Sequence, residues 1–233
     1  PMREYLERVL MRPVQVSTAP DWQSFYARAR RGEYALTITA AHLARLHQLE
    51  SGHIPLVLFT PGIKALLVVD KDKPISKIGD LRGTTLALSN PKSLVTLQGM
   101  QWLADQGLRR GENLRTLNTP TDDSVGNLVL NGDCVAALIS GGEFKAIPDV
   151  LRNRLQIFQQ IAEVPGFVAL ASSRLPTADV ARIKRALLDF TRNSDESSRF
   201  FAATGFQGFI DASEVQMKPL DIYLRETRRI IAE

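Results

Sequence analysis

The sequence has little of what marks a catalyst or a metal protein. Cys134 is its only cysteine, which excludes an intrachain disulfide and any cysteine-rich zinc site. Its three histidines, His42, His47 and His53, are five and six residues apart. That spacing does not stack them on one helix face as metal ligands at i and i+4 require, so no metal site is expected. No G-x-S-x-G elbow, P-loop, G-x-G-x-x-G turn or H-E-x-x-H helix is present. With no positioned nucleophile or base either, neither an enzyme nor a cofactor is expected. No apolar run approaches the ~20 residues needed to span a bilayer, and the start "PMREYLERVLMRP" lacks the apolar core of a secretory signal.

What the chain does have is the composition of a folded globular protein. Of its 233 residues 44% are hydrophobic, enough for one large domain or two lobes of about 100 residues. The net charge of +4 comes from 29 basic against 25 acidic residues, well interspersed, and mildly favours anionic partners. Clusters such as Arg30–Arg31, Arg109–Arg110 and Arg228–Arg229 sit at helix ends, where they complement the helix dipole. No nucleic-acid motif accompanies them, so no nucleic-acid partner is expected.

Helices and strands alternate along most of the chain. "REYLERVLM" has helical apolar spacing and ends before Pro13; "VQVST" (14–18) reads as a short strand. Asp21 caps a helix carrying Trp22, Phe25 and Tyr26, and "YALTIT" is the next strand. "IPLVLFT", "IKALLVV", "TTLALS", "LRTLNT", "CVAALIS", "LQIFQQI" and "GFVALAS" are further strands, with helices between several of them. After "GFVALAS" only helices are expected. The pattern predicts an α/β fold with mostly parallel sheets covered on both faces.

In open α/β sheets ligands bind beyond the carboxyl ends of strands. Three strand ends carry polar residues of interest. "YALTIT" ends at Thr39 and leads to His42, which either faces a ligand or caps its helix. "TTLALS" leads into Ser89, Asn90, Lys92, Ser93 and Thr96; "CVAALIS" leads into Ser140, Gly141, Gly142 and Glu143. Glu143 accepts a hydrogen bond from a ligand, or else is an acid favoured by the dipole of its helix. His47 and His53 read as exposed helix and turn residues.

The stretches "GDLRGTTLALSNPKSLVTLQGMQWLADQGL", "DDSVGNLVLNGDCVAALIS" and "VPGFVALASSRLP", in that order, resemble the phosphonate/phosphite-type substrate-binding proteins of ABC transporters. These have the type II periplasmic-binding-protein fold. "ARRGEYALTITAAHLARL" is similar to the segment after that family's second strand. The resemblance implies two α/β lobes, residues 1–62 plus 166–233 and residues 63–165, that hold a small ligand between them and close by a hinge. It implies a periplasmic receptor with an ABC-transporter permease as partner and no catalysis; the alternative is the extracytoplasmic sensing domain of a signalling protein. The family places a strand before its first helix, and this chain begins inside that helix, so residues preceding Pro1 are expected. Where phosphonate-binding members carry a Ser-Thr-Ser run, this chain has Ser93, Leu94 and Val95. Each hydrogen bond to a charged group is worth roughly 1.5–3 kcal/mol, so within a small anionic or zwitterionic class a phosphonate stays open but is disfavoured, and a carboxylate or a larger, partly apolar ligand fits at least as well.

Overall fold

Local signals set most element boundaries. In the computed structural model, which describes residues 1–119, 122–192 and 194–232, helix α1 (Met2–Leu10) ends before Pro13. α2 (Trp22–Arg30) starts at Asp21, whose carboxylate accepts the Ser24 N–H at 2.7 Å. Strand β1 (Leu36–Ala40), helix α3 (Ala41–Ser51) and strand β2 (Ile54–Thr60) follow. Then come β3 (Ile63–Asp70), β4 (Thr85–Leu88), α4 (Leu94–Asp105), β5 (Arg115–Asn118), α5 (Asp122–Leu130) and β6 (Ala136–Ser140). α6 (Gly141–Ala146), α7 (Asp149–Arg152) and β7 (Leu155–Val164) complete this run. The chain ends with β8 (Phe167–Ala171), α8 (Thr177–Phe190), α9 (Ser194–Thr204), β9 (Gly208–Asp211), α10 (Glu214–Met217) and α11 (Leu224–Ala232).

These elements form two units. One comprises Pro1–Pro61 and Pro165–Glu233, the other Gly62–Val164. The first has a four-stranded sheet in the order β1-β8-β2-β9, the second a five-stranded sheet in the order β5-β4-β6-β3-β7.

The expectation of mostly parallel sheets is corrected in the first unit. The α3 crossover does make β1 and β2 point the same way, but they are not neighbours. β8, from the far end of the chain, lies between them and runs antiparallel to both; β9 is antiparallel to β2. The second sheet is mixed: β4 pairs in parallel with β5 and β6, while β3 is antiparallel to β6 and β7.

Two further readings are corrected. Residues 14–18 form no strand, because no described strand pairs with them. β9 interrupts the expected all-helical tail, a four-residue strand too short to announce itself by alternation.

The core of the first unit is aromatic. Phe59, Phe190 and Phe209 are buried, and Phe209 lies 4.5 Å from Phe59 and 6.1 Å from Phe190, ring centre to ring centre. In the second unit both sheet faces are covered, so β3 reads as a continuous apolar run. α4 lies close against β6 because residue 99 is glycine: a Cβ there would fall 2.5 Å from the Leu138 side chain. The helix stops at Gly107 (φ 78°), where the Leu108 N–H bonds the Leu103 carbonyl at 2.9 Å and Leu108 is fully buried.

His47 and His53 are buried, not exposed. The His47 ring lies 4.2 Å from Tyr26 and 5.2 Å from His53, and His53 Nε2 lies 3.0 Å from the Ala29 carbonyl oxygen. Arg45 is buried beside them in sequence. It donates to Asp221 at 2.6 Å and to Glu214 at 2.8 and 2.9 Å, tying α3 to α10 and the turn after it.

Candidate functional site

The second unit presents its polar strand ends side by side. The parallel register pairs Leu86 with Ala136 and Leu88 with Leu138. Continued by two residues, it sets Asn90 beside Ser140, in strands ~4.8 Å apart. The starts of α4 and α6 therefore emerge together at one end of the sheet. β5, on the other side of β4, ends there too, at Asn118 and Thr119. That third strand end escaped the sequence reading, because Asn-Thr before a helix is common turn chemistry; only the β4–β5 pairing gives it its place.

The α4 start is built by short-range hydrogen bonds. Asn90 Oδ1 accepts the Lys92 N–H at 3.1 Å, and the Asn90 carbonyl accepts the Ser93 N–H at 3.1 Å and the Thr96 hydroxyl at 2.7 Å. Ser93 is the N-cap, its Oγ accepting the Thr96 N–H at 3.1 Å. Thr96 is thus buried and turned into the loop, which it pins. The first intrahelical bond runs from Leu97 N–H to the Ser93 carbonyl, so the N–H groups of Leu94 and Val95 have no intrahelical acceptor.

The side chains of Leu94 and Val95 point inward and are buried. The residues that replace hydroxyl donors in sequence therefore keep their backbone donors at the helix start.

At α6 the Ser140 Oγ accepts the Glu143 N–H at 3.1 Å, and the Glu143 carboxylate accepts the Ser140 N–H at 2.6 Å. This capping box engages Glu143 with its own backbone, the second of the two roles its position allowed. Lys64 lies against Gly141, and Lys92 sits in the loop before α4; neither ammonium has an ion-pair partner among the described residues. Backbone donors, two helix starts and two lysines make this end of the sheet favourable to an anion. Ser89 lies in the same loop, its N–H 3.5 Å from the Leu138 carbonyl.

Thr39 and His42 belong to the other unit, and both are buried there. Thr39 pairs with Val168 inside the sheet. His42 sits in the first turn of α3, whose N-cap, Ala40, has no side-chain cap, so His42 does not cap the helix.

With this geometry in place, known proteins become informative. A sequence model described as the ABC transporter, phosphonate, periplasmic substrate-binding protein family matches residues 1–216. The chain belongs to that family. Members of this phosphonate-transporter family are substrate-binding transport proteins, not enzymes.

Solved structures share the fold. XAC2383 from Xanthomonas citri bound to ATP matches with TM-score 0.81 and 21% identity over 99% of this chain and 92% of its own. PhnD1 from Prochlorococcus marinus in complex with methylphosphonate matches with TM-score 0.81 and 15% identity over 97% and 90%. The periplasmic aliphatic sulphonate binding protein SsuA from Escherichia coli matches with TM-score 0.69 and 15% identity over 97% and 86%. The α/β, two-unit, type II architecture stands on these likenesses. No helix among the described residues is long and apolar enough to cross a membrane.

Proposed function

We propose that this chain is an extracytoplasmic receptor that captures a small anionic or zwitterionic solute and delivers it to the membrane permease of an ABC importer. The observation that carries the reading is the paired strand end of the second unit. There β4 and β6 set the α4 and α6 starts together, with the N–H groups of Leu94 and Val95 unclaimed by their helix. Ser89, Asn90, Ser93 and Ser140 surround this position, while Thr96 and Glu143 hold the two turns in shape. An oxyanion suits such donors because backbone N–H groups are fixed by the helix and cost no side-chain ordering. ATP, methylphosphonate and sulfonates, named with the structural neighbours, all carry tetrahedral oxyanions, which supports the same class here.

The test is a thermal-shift screen of methylphosphonate, phosphite, alkanesulfonates, ATP, carboxylates and amines. A ligand at a hundred times its Kd adds about 2.7 kcal/mol of stability. Ser93→Asp keeps a good N-cap but places a negative charge at the proposed site. It should leave the unliganded Tm nearly unchanged and abolish the anion shift. A response confined to amines, or an undiminished anion shift in Ser93→Asp, refutes the reading.

A further inference from the structure

The second unit keeps a cation where its own structure gains nothing from one. Lys64 is the second residue of β3, which runs antiparallel to β6 with Ala65 opposite Ser140. One residue further, the register sets Lys64 opposite Gly141, the first residue of α6. A Cβ on Gly141 would lie 3.4 Å from the Lys64 Cβ, so the two residues stand side by side. Lys64 is therefore an exposed cation beside a helix start, the end at which the dipole disfavours positive charge.

Two carboxylates neighbour it, one by register and one by sequence, and both are committed to backbone donors. Glu163 is the cross-strand partner of Lys64 on β7, yet its Oε1 accepts the Gly62 N–H at 3.0 Å. Glu143 follows Gly141 by two residues, yet its carboxylate accepts the Ser140 N–H at 2.6 Å within the capping box. Neither pairs with Lys64, whose ammonium has no ion-pair partner among the described residues. Gly141 adds no side chain that would cover the lysine stem.

The strand order β4-β6-β3 puts Lys64 two strand spacings, ~9.6 Å, from Asn90 at the start of α4. That separation is too wide for one small oxyanion to meet both the α4 N–H groups and the base of Lys64. A longer ligand bridges it, met part-way by the flexible four-carbon stem of the lysine.

We propose that Lys64 selects ligands with a second anionic group, a carboxylate or another oxyanion a few bonds from the one seated at α4. The proposal rests on the receptor reading of the α4 start and narrows it. Of the anionic and zwitterionic solutes considered there, the favoured class is the two-ended anion, not a solute whose far end is an ammonium. An apolar tail gains nothing from a solvated ammonium, whereas a carboxylate gains a charge-assisted hydrogen bond. Fixed backbone donors seat the first anion, and the lysine reads the second.

The test is titration calorimetry with three matched pairs of compounds: propylphosphonate and 3-phosphonopropionate, propanesulfonate and 3-sulfopropionate, butyrate and succinate. In each pair the far methyl group of the first compound is a carboxylate in the second. At least one pair should bind wild type, the two-ended member at least tenfold more tightly than the other. 3-Aminopropylphosphonate should bind more weakly than 3-phosphonopropionate. Lys64→Met keeps the stem and should bring the members of the binding pair within about threefold of each other. Its unliganded Tm should equal or exceed that of wild type, because the cation has left the helix start. Lys64→Glu should make 3-aminopropylphosphonate bind more tightly than 3-phosphonopropionate. The role of Lys64 is overturned, with the anion seat intact, if the one-ended compounds bind wild type as tightly as their partners. A preference that survives Lys64→Met, or a variant that loses both members of the pair alike, overturns it too. If none of the six compounds binds wild type, the anion seat and the role of Lys64 fall together.

Discussion

Acid should destabilise the first unit through one identifiable side chain. His47 is 1% exposed, stacked on Tyr26 and beside His53, and both its ring nitrogens are buried without a hydrogen-bond partner among the described residues. Burial, with smaller contributions from His53 and Arg30, lowers its pKa to about 3 from the ordinary 6.5. The unfolded chain therefore binds a proton that the folded chain refuses between those values. The stabilisation is fully present above about pH 6.5 and is lost as the pH falls, with a limiting slope of about 1.4 kcal/mol per pH unit. From pH 7 to pH 5 the loss attributable to His47 comes to about 2 kcal/mol by the same linkage. Because its nitrogens make no bond, His47→Phe keeps the ring stack and gives up nothing polar. Urea unfolding followed by circular dichroism at pH 5, 6 and 7 should show wild type losing about 2 kcal/mol more than His47→Phe, with the two close at pH 7. Equal pH dependence in the two proteins would refute the claim that a neutral, desolvated imidazole holds this stack.

Other consequences are as direct. Arg45 is 4% exposed at its side chain while Glu214 and Asp221 are 59% and 40% exposed. Removing both acids strands a buried guanidinium, so Glu214→Ala/Asp221→Ala should cost about 3–5 kcal/mol in urea unfolding, and Arg45→Met distinctly less. Gly99→Ala should cost about 1–3 kcal/mol, since its methyl group meets Leu138, and α4 should shift away from β6 in a crystal structure of the variant. Restoring hydroxyls by Leu94→Thr/Val95→Ser should not raise the methylphosphonate thermal shift, because those side chains point into the core. Each buried hydroxyl should instead cost about 1–3 kcal/mol of stability.

The sequence displays local physics and hides pairing at a distance. Asp21, Ser93 and Gly107 mark their helix ends by chemistry that acts over three or four residues, and each does so in the structure. β3, β4 and β6 of the second unit are legible because burial on both faces makes them nearly unbroken apolar runs. β8 is equally legible as a strand, but nothing local says that it inserts between β1 and β2 and runs antiparallel to both. His47 and His53 look polar in isolation. Their burial depends on Tyr26 and Ala29, contributed by another helix. The candidate site was legible as separate strand ends; which of them adjoin is a property of the β4–β6 register alone.

That register also changes the meaning of Leu94 and Val95. Read in sequence, they subtract two hydroxyl donors from an oxyanion site. In the fold their side chains are buried, and their N–H groups are left at the helix start. A hydroxyl run would add directional donors, each tuned to one oxygen position, and with them discrimination among oxyanions. Backbone N–H groups and a helix dipole attract negative charge with much less regard to what carries it. If the proposed site is right, its chemistry is that of a tolerant anion seat, and selectivity for a particular solute has to come from the groups that meet the rest of the ligand.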